Sequence, residues 1–253
     1  MVLLFSLSFL APILAAIFGL SLAGTMLWRK KKNAEIRTKS MEQVANELGL
    51  TFSPTDSFGL IPQLQGFALF DRERGRWFNH GKITNVMRGW EGETQVYLFD
   101  YSYTVSTGKT RKTITQTVFF ANDKNWFLPN FHLKPERWWH TLQKSLGIDS
   151  DINFEENPEF SEKFWLKGDF EALIREQFTP ELQGFLTERP PAHLEGTNYY
   201  LLGYKPKKKM DPDETIWFYR HCLEIVALLQ QKKGEALLKL AELEKVKEIK
   251  LHD

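Results

Sequence analysis

Cysteine is almost absent: Cys222 is the only one among 253 residues. A single thiol excludes an intramolecular disulfide and any zinc site built on paired cysteines. It agrees with folding in a reducing compartment. The recurrent catalytic signatures are missing as well. There is no G-x-S-x-G and no H-E-x-x-H, so neither the nucleophile elbow nor the helical zinc hydrolase applies. The histidines are His80, His132, His140, His193, His221 and His252. None has a second His or Cys at metal-ligand spacing on one helical face. No catalytic, cofactor or metal constellation is therefore expected. An excess of one charge is lacking too. The 33 Lys and Arg meet 32 Asp and Glu, a formal net charge of +1, which is not the balance of a nucleic-acid-binding protein.

The longest gap in charge lies at the start. Val2 to Trp28 contain no charged side chain, and Arg29, Lys30, Lys31 and Lys32 follow at once. As a helix, the run Val2–Leu27 reaches about 39 Å at roughly 1.5 Å per residue. That is enough to cross a hydrocarbon core of about 30 Å with tilt. A cleaved signal peptide would carry its cations before a short apolar stretch. Here the stretch is long and the cations come after it. The pattern predicts an uncleaved single-pass transmembrane anchor over residues 1–33. Arg29 to Lys32 would touch the inner surface of the lipid bilayer. The expected placement is the plasma (inner) membrane, with the N-terminus out and the remaining chain cytoplasmic. Pro12 removes one backbone hydrogen bond and predicts a kink or an irregular first turn. Ala11, Ala15, Gly19 and Ala23 recur every four residues. They could let a second helix approach and support weak homo-oligomerisation, although a strict G-x-x-x-G is missing.

Removing the four anchor-flanking cations leaves 29 Lys and Arg against 32 acids, a formal −3. With 20 Phe and 8 Trp in the chain, the remainder can bury a substantial core and is not a disordered tail. The expected fold class is α+β: an antiparallel β-meander covered by helices. The expected boundaries are a domain over 34–231, possible as two subdomains 34–147 and 148–231, then a charged terminal helix over 232–253.

The elements follow from periodicity and punctuation. Met41, Val44, Ala45 and Leu48 mark a helix over 34–50 that Gly49 stops. Lys82–Arg88 and Glu93–Val105 read as strands around a turn at Gly89–Gly92. On the second strand Tyr97, Phe99, Tyr101, Tyr103 and Val105 point one way, and Asp100, Ser102 and Thr104 the other. Thr113–Ala121 reads as a further strand. Pro135 is expected to open a helix through Leu146. A helix over Asp169–Phe178 should turn Phe170, Leu173 and Ile174 inward. Thr179-Pro180 should start another, with Leu182, Phe185 and Leu186. A turn is expected at Glu195–Asn198, before a strand over Tyr199–Tyr204. Asp211-Pro212-Asp213-Glu214 has the grammar of a capping box. Phe218, Cys222, Ile225 and Leu229 line one face of the helix that follows. In the terminal stretch Leu237, Leu240, Leu243, Val246 and Ile249 are spaced by three. Such a stripe drifts round a helix by about 120° over its length. It therefore reads as a solvated helix rather than a coiled-coil seam.

Several local patterns suggest chemistry and fail on context. Gly108-Lys109-Thr110 looks like the end of a phosphate loop, but Tyr103 stands where that loop needs glycine and a strand follows instead of a helix. His221 and Cys222 are adjacent, so on a helix they point about 100° apart and do not pair. Asp151, Glu155 and Glu156 lack any cation-ligand spacing. Asp100 is a carboxylate among aromatics, with its polar neighbours suggesting a surface or a hydrogen-bonded structural role. Lys205, Lys207, Lys208 and Lys209 form a second basic run around Pro206. It is either a site of contact with anionic lipid or a solvated hairpin end.

The strings FNHGKITNVMRGWEG, FDYSYTVSTGKTRKTITQTVFF, LPNFHLKPE and INFEENPEFSEKFWLKG resemble those of a family of bacterial single-pass membrane-anchored proteins. The resemblance covers residues 78–178 and implies a bacterial inner-membrane location. It implies no activity. The function expected is a membrane-anchored cytoplasmic protein that binds or scaffolds a protein partner. A membrane-tethered enzyme with a scattered site and a lipid-surface module are the alternatives.

Overall fold

The computed structural model describes residues 2–71, 81–106, 110–136, 151–189 and 193–230, with side chains of the first helix described at Pro12 and from Leu14 onward. The chain divides into two units, Met1–Gln43 and Val44–Asp253.

The first unit is helix α1 (Val2–Glu47), whose last turn belongs to the second unit. The helix passes through Pro12 without a break, and the separate helix expected over 34–50 is its continuation. Leu14, Ile17, Phe18, Leu20, Met26, Leu27 and Trp28 are all exposed. At about 100° per residue these positions go round the whole helix. Ala15, Gly19 and Ala23 are exposed along it, and the side chain of Ala11 lies outside the described residues. Lys32 places its ammonium 5.0 Å from the centre of the Trp28 ring. Among the described residues, no helix is long and apolar enough to cross a membrane.

In the second unit Gly49 ends α1 as its sequence position suggests. It takes φ +68°, and Leu50 N–H donates to the Ala45 carbonyl while Gly49 N–H donates to that of Asn46. This pair of bonds satisfies two of the carbonyls left over at a helix end, and glycine enters the left-handed region without a Cβ clash.

An eight-stranded antiparallel sheet follows. Its strands are β1 (Thr51–Thr55), β2 (Lys82–Glu91), β3 (Thr94–Ser106), β4 (Arg111–Asn122), β5 (Leu128–Pro135), β6 (Phe164–Gly168), β7 (His193–Asn198) and β8 (Tyr200–Tyr204). Their order across the sheet is β1-β2-β3-β4-β8-β7-β5-β6. The β7–β8 hairpin thus slots between β4 and β5. The short helices are α2 (Ala68–Asp71), α3 (Pro158–Lys163), α4 (Glu171–Gln177) and α5 (Pro180–Glu188), with α6 over 212–230.

Both sheet faces are covered. On one, Tyr97, Phe99 and Tyr101 of β3 join Val118, Phe120, Leu202 and Tyr204 beneath Leu60, Leu64 and Phe67. On the other, Phe119 meets Tyr219 of α6 at 6.1 Å between ring centres. A Cβ on Gly203 would touch the Cys222 sulfur and the Phe218 ring. The alternation expected on β3 is therefore only half right. Val96 and Leu98 are fully buried on the supposed polar face, because α6 packs over it. The α6 stripe is as expected: Phe218, Cys222, Ile225 and Leu229 are all buried. A third cluster, of phenylalanines, closes the far edge. Phe131 of β5 meets Phe178 edge-on at 5.1 Å, and Phe160 meets Phe164 at 5.0 Å.

Four elements depart from the sequence reading, each for a local reason. Strand β2 runs through Gly89 and Trp90, and the turn is the pair Gly92-Glu93, with Gly92 at φ +60°. Gly89 serves packing: a Cβ there would collide with the Leu50 side chain. Similarly, Glu195 and Gly196 sit inside β7, and the chain turns at Asn198-Tyr199. The Phe131 ring occupies the space a Cβ on Gly196 would need. Pro135 closes β5, opposite Phe164, instead of opening a helix; residues beyond Glu136 in that stretch lie outside the described set, as do Gly108-Lys109 and the terminal helix. In α4 only Ile174 points inward, while Phe170 and Leu173 are exposed. Phe170 precedes α4 in the left-handed region, at φ +62°, and this turns its side chain out.

Two glycines make the packing testable. A Cβ at Gly168 would run into the Asn130 carbonyl, whereas at Gly184, inside α5, it would meet nothing within 4 Å. Gly168→Ala should destabilise the full chain by about 1–3 kcal/mol, and Gly184→Ala should raise stability by up to about 1 kcal/mol. Thermal unfolding of the two variants checks both signs.

Candidate functional site

The second basic run occupies a loop held in place by buried polar groups. Asp100 on β3 is 2% exposed. Its carboxylate accepts from Asn85 Nδ2 at 2.9 Å and from Thr117 Oγ1 at 3.2 Å. Asn85 sits at a register shift in β2 with φ +54°, a conformation Asn tolerates better than most side chains. Thr117 passes the constraint on, because its hydroxyl accepts from Met210 N–H at 3.0 Å. Thr117 N–H donates to the Lys208 carbonyl, and buried Gln116 accepts from Lys207 N–H at 3.0 Å. The loop 205–210 thus replaces β8 along the edge of β4 where that strand outlasts its partner. Of the two roles suggested for Asp100, the fold contains the hydrogen-bonded one, and its burial rules out the surface one.

Helix α6 starts where the loop ends. Glu214 N–H donates to Asp211 Oδ1 at 2.9 Å, and Asp211 N–H donates to Glu214 Oε2 at 3.3 Å. This closes the capping box foreseen from the sequence. Lys208 reaches Glu214 Oε2 at 3.0 Å, and that hydrogen bond holds the Glu214 carboxyl below the usual range. Lys205 stands 5.2 Å over the Trp217 ring. Lys207 and Lys209 are exposed, so the four lysines are not equivalent.

Beside the loop runs a ladder of flat groups. Trp217 stacks on His221 at 4.9 Å and 8° between planes, and His221 stacks on Phe185 at 5.0 Å and 19°. Arg189 stands 4.9 Å over the Phe185 ring and pairs with Glu224 at 2.8 Å. Phe185, on the helix expected after Thr179-Pro180, is half-buried and contacts both His221 and Arg189. His221 is 2% exposed, and neither ring nitrogen has a hydrogen-bond partner among the described residues. Burial pushes its pKa down to about 4. It is an uncharged stacking surface at neutral pH. Cys222 next to it is fully buried, and burial raises its thiol well above the ordinary value. That thiol packs as a small hydrophobe.

Glu195 is the other buried acid with a distant partner. Its Oε2 accepts from Ala68 N–H at 2.6 Å and its Oε1 from the Tyr204 hydroxyl at 2.8 Å. His132 Nε2 is 3.9 Å from Oε1, and the His132 and His193 rings lie 5.6 Å apart. Because Ala68 begins α2, Glu195 caps that helix and ties it to the sheet. Among the described residues, no group of three or more His, Cys, Asp or Glu could hold a metal ion. Asp151, Glu155 and Glu156 lie in the loop before α3, and Arg29 to Lys32 line the exposed surface of α1.

Two measurements test the site. Thr117→Val should cost about 1–3 kcal/mol, because the buried Met210 N–H loses its acceptor; denaturant unfolding reads the change. For His221 the folded pKa of about 4 lies below the ordinary 6.5, so protonation favours the unfolded chain. Its contribution to stability is intact above pH 6.5 and is lost as pH falls towards about 4. His221→Phe should remove that part of the pH dependence, and NMR should find the imidazole uncharged at neutral pH.

No protein-family model matches the chain, and no curated protein matches it. One solved structure, of the mycobacterial trehalose monomycolate transport factor A, TtfA, is similar to 76% of this chain over 94% of its own length, with a TM-score of 0.50 and 10% identity. At that identity the similarity is one of fold, an α+β arrangement around an antiparallel sheet.

Proposed function

We propose that this chain is a single-pass inner-membrane protein whose cytoplasmic α+β domain binds a protein partner. The observation that carries the reading is α1. From Leu14 to Trp28 it exposes large apolar side chains in every direction, and the sequence adds a further apolar stretch, Val2 to Ile13, before them. Water is a poor solvent for such a surface, and a bilayer is a good one. The cations Arg29 to Lys32 then fix the orientation. The Ala11, Ala15, Gly19 and Ala23 positions remain the place for a weak contact between two such helices.

The partner-facing surface we favour is the lysine loop. A rigid loop loses little entropy on binding. Lys207 and Lys209, flanked by exposed Trp217, suit a partner with acidic groups around an apolar patch. Aromatic anchors of this kind concentrate binding energy.

Fractionation tests the anchor. The full chain should stay with membranes through an alkaline carbonate wash. Introducing Arg at both Ile17 and Leu20 should release it, since each costs about 2.5–3.5 kcal/mol at the centre of a spanning helix. Alkaline phosphatase fused after Asp253 should be inactive. A full chain found in the soluble fraction, or an active fusion, contradicts the reading.

A further inference from the structure

Strand β4 is bordered on its β8 side over only part of its length. Val118 to Asn122 pair with β8, and the lysine loop meets Thr117 and Gln116 before it turns back. That turn is closed by Lys208 N–H donating to the Lys205 carbonyl at 3.2 Å, with Lys207 at φ +61°. From Arg111 to Thr115, among the described residues, β4 pairs with β3 alone.

The register shows which main-chain groups lie on the open side. Thr117 N–H donates to the Lys208 carbonyl, and Asp123 N–H to the Tyr199 carbonyl. Along a strand, every second residue sends its N–H and C=O to the same side. Arg111, Thr113 and Thr115 therefore present theirs to the open edge. Lys112 and Ile114 turn theirs to β3, opposite Val105 and Tyr103.

The side chains alternate as well. Thr113 and Thr115 lie on one face, in contact with the hydroxyls of Thr104 at 3.4 Å and Ser102 at 2.9 Å. Exposed Arg111 shares that face. Exposed Lys112 and half-buried Ile114 share the other. Exposed Lys207 and Lys209 stand at the inner end of the open edge.

We infer that this edge takes an extended acidic segment of the partner as a further strand, antiparallel to β4. The inference rests on the proposed binding of an acidic partner at the lysine loop and specifies how that partner is held. Main-chain bonds to Thr113 and Thr115 supply affinity, and the flanking side chains supply selectivity. Charge selects the occupant. Asp211 and Glu214 are engaged with each other in the capping box, and Glu214 also with Lys208. That leaves Asp213 against Arg111, Lys112, Lys205, Lys207 and Lys209. A second copy pairing at this edge would gather four strand cations and two lysine loops, all of one sign, which opposes self-association. An acidic strand meets no such cost. The alternation also sets its pattern: acids opposite Arg111 and Lys112, an apolar residue opposite Ile114, and hydroxyls opposite Thr113 and Thr115.

The test uses the full chain in non-ionic detergent and a blocked, fluorescent peptide of sequence E-T-V-T-E-E. Its residues fall opposite Gln116 to Arg111 in turn. Fluorescence anisotropy should show binding, and K-T-V-T-K-K should not bind. N-methylation of the second Thr, opposite Thr113, should weaken binding about tenfold or more. N-methylation of Val, whose N–H faces away from β4, should not. By NMR, the peptide should slow exchange of the Thr113 and Thr115 amides and leave those of Lys112 and Ile114 unchanged. The double variant Arg111→Glu, Lys112→Glu should lose E-T-V-T-E-E and gain K-T-V-T-K-K, which also shows that it is folded. Equal effects of the two methyl groups, whether both tolerated or both disruptive, would overturn the strand pairing and leave the lysine loop as an acidic-partner surface. Failure of E-T-V-T-E-E to bind, or equal binding of the two peptides, would overturn both.

Discussion

The pairing of β4 with β8 is the contact on which the second unit depends. It joins residues 118–122 to residues 200–204, about eighty positions apart in sequence. Two consequences follow from it. Strand β8 is five residues long and β4 twelve, so the chain leaving β8 must satisfy the next part of the β4 edge. The lysine loop does this through Thr117 and Gln116. The hairpin also brings Glu195 under α2 and Gly203 under α6, which closes both sheet faces.

That geometry separates two kinds of surface. The lysine loop and Trp217 lie past the end of β8, and exposed Phe127 and Tyr199 lie near its start. Strand β8, which separates the Tyr199 turn from the lysine loop, has five residues, about 17 Å at roughly 3.3 Å each. The two surfaces are thus about two Debye lengths apart along the strand, each being about 8 Å at physiological ionic strength.

Local grammar was legible in the sequence, and long-range packing was not. The capping box of Asp211 and Glu214, the stop at Gly49 and the aromatic face of β3 depend on neighbours a few residues away, so spacing reveals them. Gly196 and Gly89 read as turn residues because the rings and side chains that need their space, Phe131 and Leu50, are remote. Val96 and Leu98 gave no sign that a helix more than a hundred residues later covers their face. The Asp100 network followed the same division. Its polar character was visible, but its partners Asn85 and Thr117 come from other strands. Trp217 carried no signal at all, since a single exposed Trp is common in any sequence. What marks it is the stack of rings it opens and the Lys205 ammonium over its face.

Amide hydrogen exchange on the full chain tests the central pairing most directly. The amides of residues 118–122 and 200–204 should exchange as one slow class, with Met210 N–H protected alongside them. Fast exchange over 200–204 while 118–122 stays protected would show that β8 does not join the sheet, and the account of the loop, of α6 and of the two surfaces would fall with it.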